Sequence, residues 1–369
     1  MSKLQTALKT GAETLESLTA KYAIKVKPHP RYPQLVQLKY DQIESPMGHP
    51  IVQECRGCIL DVSDNFEYVA RPFDKFFNVG EGHAASIDWK TARVQEKLDG
   101  SLMIMYWHDC EWHVASSGTP NAGGEVNNAP GTTFADLFWE TWQKMGYRTK
   151  NLDPEITYMF ELLTKYNRVV VQHPEPKLVL IGMRNPETGQ ELHVDVGDPS
   201  LTKQFEVVQT FPLGSLDEVM ASMEHFSGLE QEGFVVVDSH FNRVKIKHPS
   251  YVAAHHMVGS LSPKRLLEVV RAAEVPEILA YFPEWAAEAE SIRVKYEALV
   301  AEAQSEYDKV RKIPVQKDFA LAIKDSKHKS GMFAVRAKKA ENLVQYYREL
   351  RLETLSDMLG LKEIQNGEA

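Results

Sequence analysis

The chain has 369 residues, 43% hydrophobic and 25% charged, with a net charge of −9. That size and mixture suit a globular protein of two domains. No run of 18 apolar residues is available to span a membrane, and the acidic balance excludes a protein that coats nucleic acid through a global field. From His255 onward 18 Lys/Arg balance 18 Asp/Glu, so the first 254 residues carry the whole −9. A phosphate-bearing partner would have to be met by local basic patches. Three cysteines make no disulfide framework, and Cys55-Arg56-Gly57-Cys58 lacks the second pair that a zinc site needs. The N-terminus lacks the apolar core of a secretory signal, so the expected address is the cytoplasm.

In chain order, residues 3–22 predict an amphipathic helix through Leu4, Leu8, Leu15 and Leu18, and Pro28, Pro30 and Pro33 end any helical run. Short β-like runs follow at Leu35–Tyr40, Gly57–Val62, Phe66–Arg71, Val94–Lys97, Leu102–Trp107 and Trp112–Ser116, the last two forming a hairpin around His108–Glu111. Ser117–Gly131, rich in Gly, Asn and Pro, reads as a loop, and Phe134–Met145 has helical spacing. Strand-like runs resume at Thr157–Leu163, Arg168–Val171, Leu178–Arg184, Phe205–Val208, Gly233–Asp238 and Arg243–Lys247. After Pro249 the texture changes to Ala, Glu, Leu, Lys and Arg with apolar residues three and four apart over 262–281, 284–312 and 331–360. The expected organisation is α+β, with a first domain over 1–254 and an all-helical domain over 255–369.

One stretch carries chemistry most plainly. Lys97-Leu98-Asp99-Gly100-Ser101 offers a lysine with a small turn behind it and a carboxylate two residues on. A lysine amine is a nucleophile only when unprotonated, and neighbouring cations or burial favour that form. Val244-Lys245-Ile246-Lys247 supplies cations that alternation places on one strand face.

Six elements occur in order: Arg56-Gly57; Arg71-Pro72-Phe73-Asp74-Lys75-Phe76-Phe77-Asn78; Lys97-Leu98-Asp99-Gly100-Ser101; Phe160-Glu161 with Asn167-Arg168; Glu232-Gly233; and Lys245-Ile246-Lys247. Together, over residues 40–250, they resemble the phage RNA ligase 1 family, the T-even bacteriophage type of ATP-dependent covalent nucleotidyltransferase. The resemblance implies an adenylation domain of antiparallel sheets with flanking helices. It implies that Lys97 attacks ATP to give a lysyl-AMP, that AMP passes to an RNA 5′-phosphate, and that a 3′-hydroxyl then displaces it. It places Arg56, Lys75, Glu161, Lys245 and Lys247 on the nucleotide, with Lys245 and Lys247 assisting catalysis on the α-phosphate, and Glu232 and Asp99 near Mg²⁺ or Mn²⁺. ATP is the implied cosubstrate, and the implied partner is RNA with 5′-phosphate and 3′-hydroxyl ends, nicked tRNA included. A monomer acting in a host cytoplasm is the companion expectation. One departure stands out. Where the family often has a basic residue, this chain has Ala115-Ser116-Ser117-Gly118-Thr119.

Three alternative readings share part of this pattern. A DNA ligase or an mRNA-capping guanylyltransferase shares the Lys-x-Asp-Gly logic, but each usually carries a small β-barrel where this chain is helical. An inactive RNA-binding relative is disfavoured by the intact set of Lys97, Glu161, Glu232, Lys245 and Lys247. The segment from Lys324 to Lys339 holds six Lys/Arg against one acid, Asp325. Its ordinary reading is a solvated helix face; its sharper one is an RNA-backbone patch of Lys327, Lys329, Lys338 and Lys339.

Overall fold

The computed structural model describes residues 2–361 apart from 127–128, 151, 168, 195–198, 229, 256–262, 277–278 and 280–284. It divides into two compact units, Met1–His255 and His256–Ala369. The first is α+β.

In the first unit α1 (Lys3–Lys9) and α2 (Leu15–Tyr22) replace the single helix expected over 3–22. Ser2 and Thr14 each cap a helix start, and Gly11 adopts φ +72°, so the chain stops and restarts there. A four-stranded antiparallel sheet follows, of β1 (Ile24–Pro28), β2 (Leu35–Tyr40), β3 (Arg56–Asp61) and β4 (Glu67–Ala70), with α3 (Pro50–Glu54) between β2 and β3. Strand β1 was not foreseen, although Ile24, Val26 and the lysines between them alternate as a half-buried strand requires.

The next strands build two sheets that face each other. They are β5 (Phe77–Asn78), β6 (Arg93–Lys97), β7 (Ser101–His108), β8 (Glu111–Ser116), a small β9 (Glu125–Val126) and β10 (Ala129–Thr133) ribbon, β11 (Thr157–Leu163), β12 (Lys177–Arg184), β13 (Glu191–Leu192), β14 (Glu206–Val207), β15 (Thr210–Phe211), β16 (Gly233–Val237) and β17 (Arg243–Lys247). One sheet runs β15-β6-β16-β17-β5 and the other β13-β12-β11-β7-β8, with β14 parallel to β12. The β7–β8 turn puts both Asp109 (φ +49°) and Cys110 (φ +59°) in the left-handed region, the geometry of a two-residue hairpin.

Strand alternation decides what each face does. Outward, Val94, Phe234, Val236, Val244 and Ile246 pack with Val219 and Met223 of the segment starting at α6 (Leu216–Ser222). On the other sheet Phe160, Leu162 and Leu180 pack with Phe138 and Trp142 of α4 (Phe134–Lys144). Each such large apolar side chain contributes about 1.5–3 kcal/mol by leaving water. The inward residues of both sheets line a cleft. A short α5 (Pro199–Thr202) and α7 (Pro249–His255) complete the unit.

Arg168–Val171 forms no strand among its described residues. Val170 and Val171 are buried, but their backbone N–H groups donate to Asp99 rather than to a neighbouring strand.

The second unit is helical: α8 (Pro263–Arg271), α9 (Ala286–Val310), α10 (Gln316–Ala322), α11 (Lys329–Arg336), α12 (Leu343–Glu349) and α13 (Leu352–Met358). Leu266, Ile292, Tyr296, Leu299, Leu343 and Tyr347 form its core. Helix α10 was not foreseen, and the stretch 331–360 breaks into three short helices.

Candidate active site

Two facing sheets enclose a cavity of about 250 Å³. Lys97, Gln95, Val235 and Arg243 come from one sheet and Leu102, Glu161 and Ile181 from the other, with Arg56, Phe73 and Phe76 at the side. The register explains the grouping. Lys97 pairs across with Gly233, and Gly233 with Lys247, so the two lysines flank a residue with no side chain. Gly233 has φ +145°, and a Cβ there would lie 2.1 Å from the Ile246 carbonyl oxygen. Only glycine fits, and its bareness keeps the space between the lysines open.

Glu232 joins the lysines electrostatically. Lys97 Nζ donates to Glu232 Oε2 at 2.7 Å, and Lys247 Nζ lies 3.3 Å from Oε1 of the same carboxylate. Glu232 is 3% exposed, so this is a charge triad largely removed from water, strong only because each charge is met. Lys245 stands one row along the same strand face as Lys247, opposite Val235. Arg243, a row further, shares that face, ion-pairs with Glu191 at 2.8 Å and places its guanidinium 4.1 Å from the centre of the Phe73 ring. Sequence reasoning missed Arg243, although its i, i+2 spacing to Lys245 was the available signal.

Glu161 reaches into the cleft from β11, where Gly100 N–H donates to its Oε1 at 3.1 Å. Burial pushes its carboxyl up to about 7, against the opposing pull of Lys97, with Glu232 adding to the rise. Gly100 is itself obligatory, since a Cβ would sit 2.4 Å from the Leu162 carbonyl oxygen.

Arg56 starts β3 and lies 5.2 Å from the Phe76 ring centre, with its Nη1 buried and without a hydrogen-bond partner. A buried guanidinium nitrogen left unmatched is costly, and Arg56 also lines the cavity. Lys75 Nζ lies 5.3 and 5.4 Å from the centres of the Tyr40 and Phe77 rings, and like Lys245, Lys247 and Glu232 it is not among the residues lining the cavity itself. Phe77 is a core residue at 5% exposure, while Phe73, equally buried, and Phe76 line the cleft.

Asp99 departs from the expectation of a metal ligand. It is buried, its Oδ2 accepts the Val170 and Val171 N–H groups at 2.8 and 2.6 Å, and its Oδ1 accepts the Tyr251 hydroxyl at 2.8 Å. With three donors the carboxylate is satisfied inside the protein and turns away from Glu232's role. Its work is to tie the turn behind Lys97 to the 170s loop and to α7. Asn167 donates to Ser101 Oγ and to the Leu162 carbonyl, bracing the same turn; Arg168 lies outside the described residues.

A family model for RNA ligases of the phage ligase 1 type matches residues 54–251. The chain belongs to that RNA ligase family. A protein of Autographa californica nuclear polyhedrosis virus, named as a bifunctional polynucleotide kinase/RNA ligase, is 30% identical over 289 residues, covering 73% of this chain and 40% of that one. An RNA ligase of Rhodothermus phage RM378 is 29% identical over 278 residues, covering 58% and 63%. The chain thus spans less than two thirds of the length of either relative. Among solved structures, an archaeal ATP-dependent RNA ligase aligns with a TM-score of 0.46 at 14% identity, over 80% of this chain and 78% of that one.

In the second unit, Lys327 pairs with Glu302 at 2.7 Å, and Lys329, Lys338 and Lys339 are exposed. No helix among the described residues is long and apolar enough to cross a membrane.

Proposed function

We propose that this RNA ligase family member is an ATP-dependent ligase that seals 5′-phosphate and 3′-hydroxyl RNA ends through a lysyl-AMP. The observation that supports this most is the row Lys97–Gly233–Lys247, whose Lys97 lines a cavity with both polar and apolar walls. Leu102, Ile181, Val208 and Val235 give a flat apolar slot suited to adenine, and Glu161 can meet the ribose. Lys247 and Lys245 put positive charge where the α-phosphate would lie, which is the main demand of phosphoryl transfer.

The first step forms the Lys97 Nζ–Pα bond and breaks the bond from Pα to the bridging oxygen, releasing pyrophosphate. The ammonium loses one proton before attack and one after, both to solvent. Adenylylation removes the positive charge of Lys97, so Glu232 then keeps only Lys247 of its two partners. The AMP next passes to an RNA 5′-phosphate, and a 3′-hydroxyl displaces it to leave a phosphodiester. ATP is the cosubstrate. A divalent ion, Mg²⁺ or Mn²⁺, would be held by Glu232 and the nucleotide phosphates. A sparse acidic set beside the two lysines fits such an ion, because Mg²⁺ takes few protein carboxylates and keeps its waters. Its chemistry would be charge neutralisation on the phosphates. Broken tRNA loops are the natural substrate we favour, with Lys327, Lys329, Lys338 and Lys339 gripping the RNA backbone.

Incubation with α-labelled ATP tests the reading. We expect acid-labile label on Lys97, none on Lys97→Ala, and partial sealing of a pre-adenylylated end by that variant. Equal loss of both activities contradicts the role of Lys97, and labelling by GTP in place of ATP would favour a capping enzyme.

A further inference from the structure

The first sheet carries a row of cations whose purpose the adenylate pocket does not account for. In the register of β1, β2 and β3, Lys25 pairs with Lys39 and Lys39 with Arg56. Directly opposed residues of adjacent antiparallel strands share a face, so three cations stand side by side. A bulge at Gly57 (φ +93°) sits beside Arg56, and Gly57 packs against the backbone of Ser117, where a Cβ would come within 3.1 Å. The bulge therefore brings Arg56 and the Ser116–Thr119 turn together.

Lys39 fills the space that results. Its Nζ lies 3.4 Å from Ser117 Oγ, and a Cβ on Gly118 would lie 3.4 Å from that nitrogen. Lys27 Nζ donates to the Gly118 carbonyl at 2.8 Å. Lys25 is neutralised by Asp41 at 3.0 Å, but among the described residues no carboxylate reaches ion-pair distance of Lys39 or Arg56. Burial, followed by the repulsion of Lys27, Arg56 and Lys25, pulls the Lys39 ammonium below the usual lysine range. Two neighbouring side chains are also unmatched: Arg56 Nη1 and Gln37 Oε1 are buried without hydrogen-bond partners. Half-buried, mutually repelling cations beside an orphaned guanidinium nitrogen are costly unless an anion visits.

We infer that Lys39, acting with Arg56, is the cation that binds the β- and γ-phosphates of ATP and holds pyrophosphate as it leaves. This rests on the adenylation reading above. Arg56 lines the cavity that would hold the nucleoside monophosphate, and Lys39 stands beside it on the next strand, where it could meet the outer phosphates of a triphosphate. The hydroxyl-only segment Ser116-Ser117-Gly118-Thr119 then lacks no charge, because the charge arrives from the neighbouring strand. When the Lys97–Pα bond forms and the bond to the bridging oxygen breaks, the negative charge accumulating on pyrophosphate falls on Lys39 and Arg56.

The test uses the full chain and two readouts, calorimetric binding of inorganic pyrophosphate and ATP-dependent labelling of Lys97. Lys39→Gln should weaken pyrophosphate binding about tenfold and raise the ATP needed for half-maximal labelling by a similar factor, the usual size of one lost charge-assisted contact. Sealing of a pre-adenylylated RNA should be unchanged, and Lys39→Arg should restore most of the loss. Ser117→Asp leaves Lys39 in place and should produce the same weakening, which covers the case of Lys39→Gln failing to fold. Unchanged pyrophosphate binding in both variants overturns the inference. So does a selective loss of sealing, which would assign the charge to the RNA end instead. Weakened pyrophosphate binding with no labelling of the unmodified chain would keep the site and remove the adenylation reading.

Discussion

Glu232 holds Lys97 at 2.7 Å and Lys247 at 3.3 Å with its two carboxylate oxygens, so one buried side chain sets the spacing of the two lysines we propose as nucleophile and phosphate-binding cation. Glu232→Gln leaves two largely buried ammonium groups without a counter-charge and should cost about 3 kcal/mol of stability. Urea unfolding measures it. Labelling of Lys97 should fall in the same variant, and in Lys247→Ala by about 100-fold, since a charge aimed at the reacting phosphate is missing. Normal label uptake by Lys247→Ala would show that the strand face serves something else.

Glu161 gives the cleft a pH signature. Its carboxyl is raised from 4.5 to about 7. A raised carboxyl favours the folded state while it is protonated: the contribution is intact below the unfolded value and is lost as pH climbs to the folded one. Above pH 7 the unmodified chain should be less stable than Glu161→Gln by about 3 kcal/mol, and the gap should close near pH 4.5. Parallel denaturant melts from pH 4.5 to 8 decide this, a constant gap being the adverse result.

Asp99 is predicted to act on structure, not on metal. Removing an acceptor of three hydrogen bonds in Asp99→Ala strands the Val170 and Val171 N–H groups and the Tyr251 hydroxyl. The loss should be about 3 kcal/mol, and Tyr251→Phe should lose about 1 kcal/mol. The Mn²⁺ concentration for half-maximal labelling should stay the same in Tyr251→Phe. A metal requirement shifted in Asp99→Asn with stability unchanged would restore the ligand role.

The basic segment of the helical unit should act through salt. Neutralising Lys327, Lys329, Lys338 and Lys339 together should flatten the dependence of RNA affinity on salt concentration by up to about four contacts' worth of slope. Lys327 already pairs with Glu302, so the reduction should fall short of four. An unchanged slope removes the patch.

Sequence alone singled out the proposed nucleophile and its proposed partners. Lys97, Glu161, Glu232, Lys245 and Lys247 are recognisable because each chemical role demands one residue type at one strand position, and β17 was located to the residue. Period-two alternation exposed most strands, since one face of each packs on a helix-backed core and the other on the cleft. Tertiary structure decided what local pattern cannot express. Asp99 looked like a ligand beside the nucleophile, yet its oxygens are taken by donors 71 to 152 residues away. Lys75, read as a phosphate contact, has its ammonium beside the Tyr40 and Phe77 rings, a setting that only folding reveals. Arg243, Lys39 and the orphaned Arg56 nitrogen gained meaning only through cross-strand register, because whether a charge is matched depends on which side chains folding brings beside it.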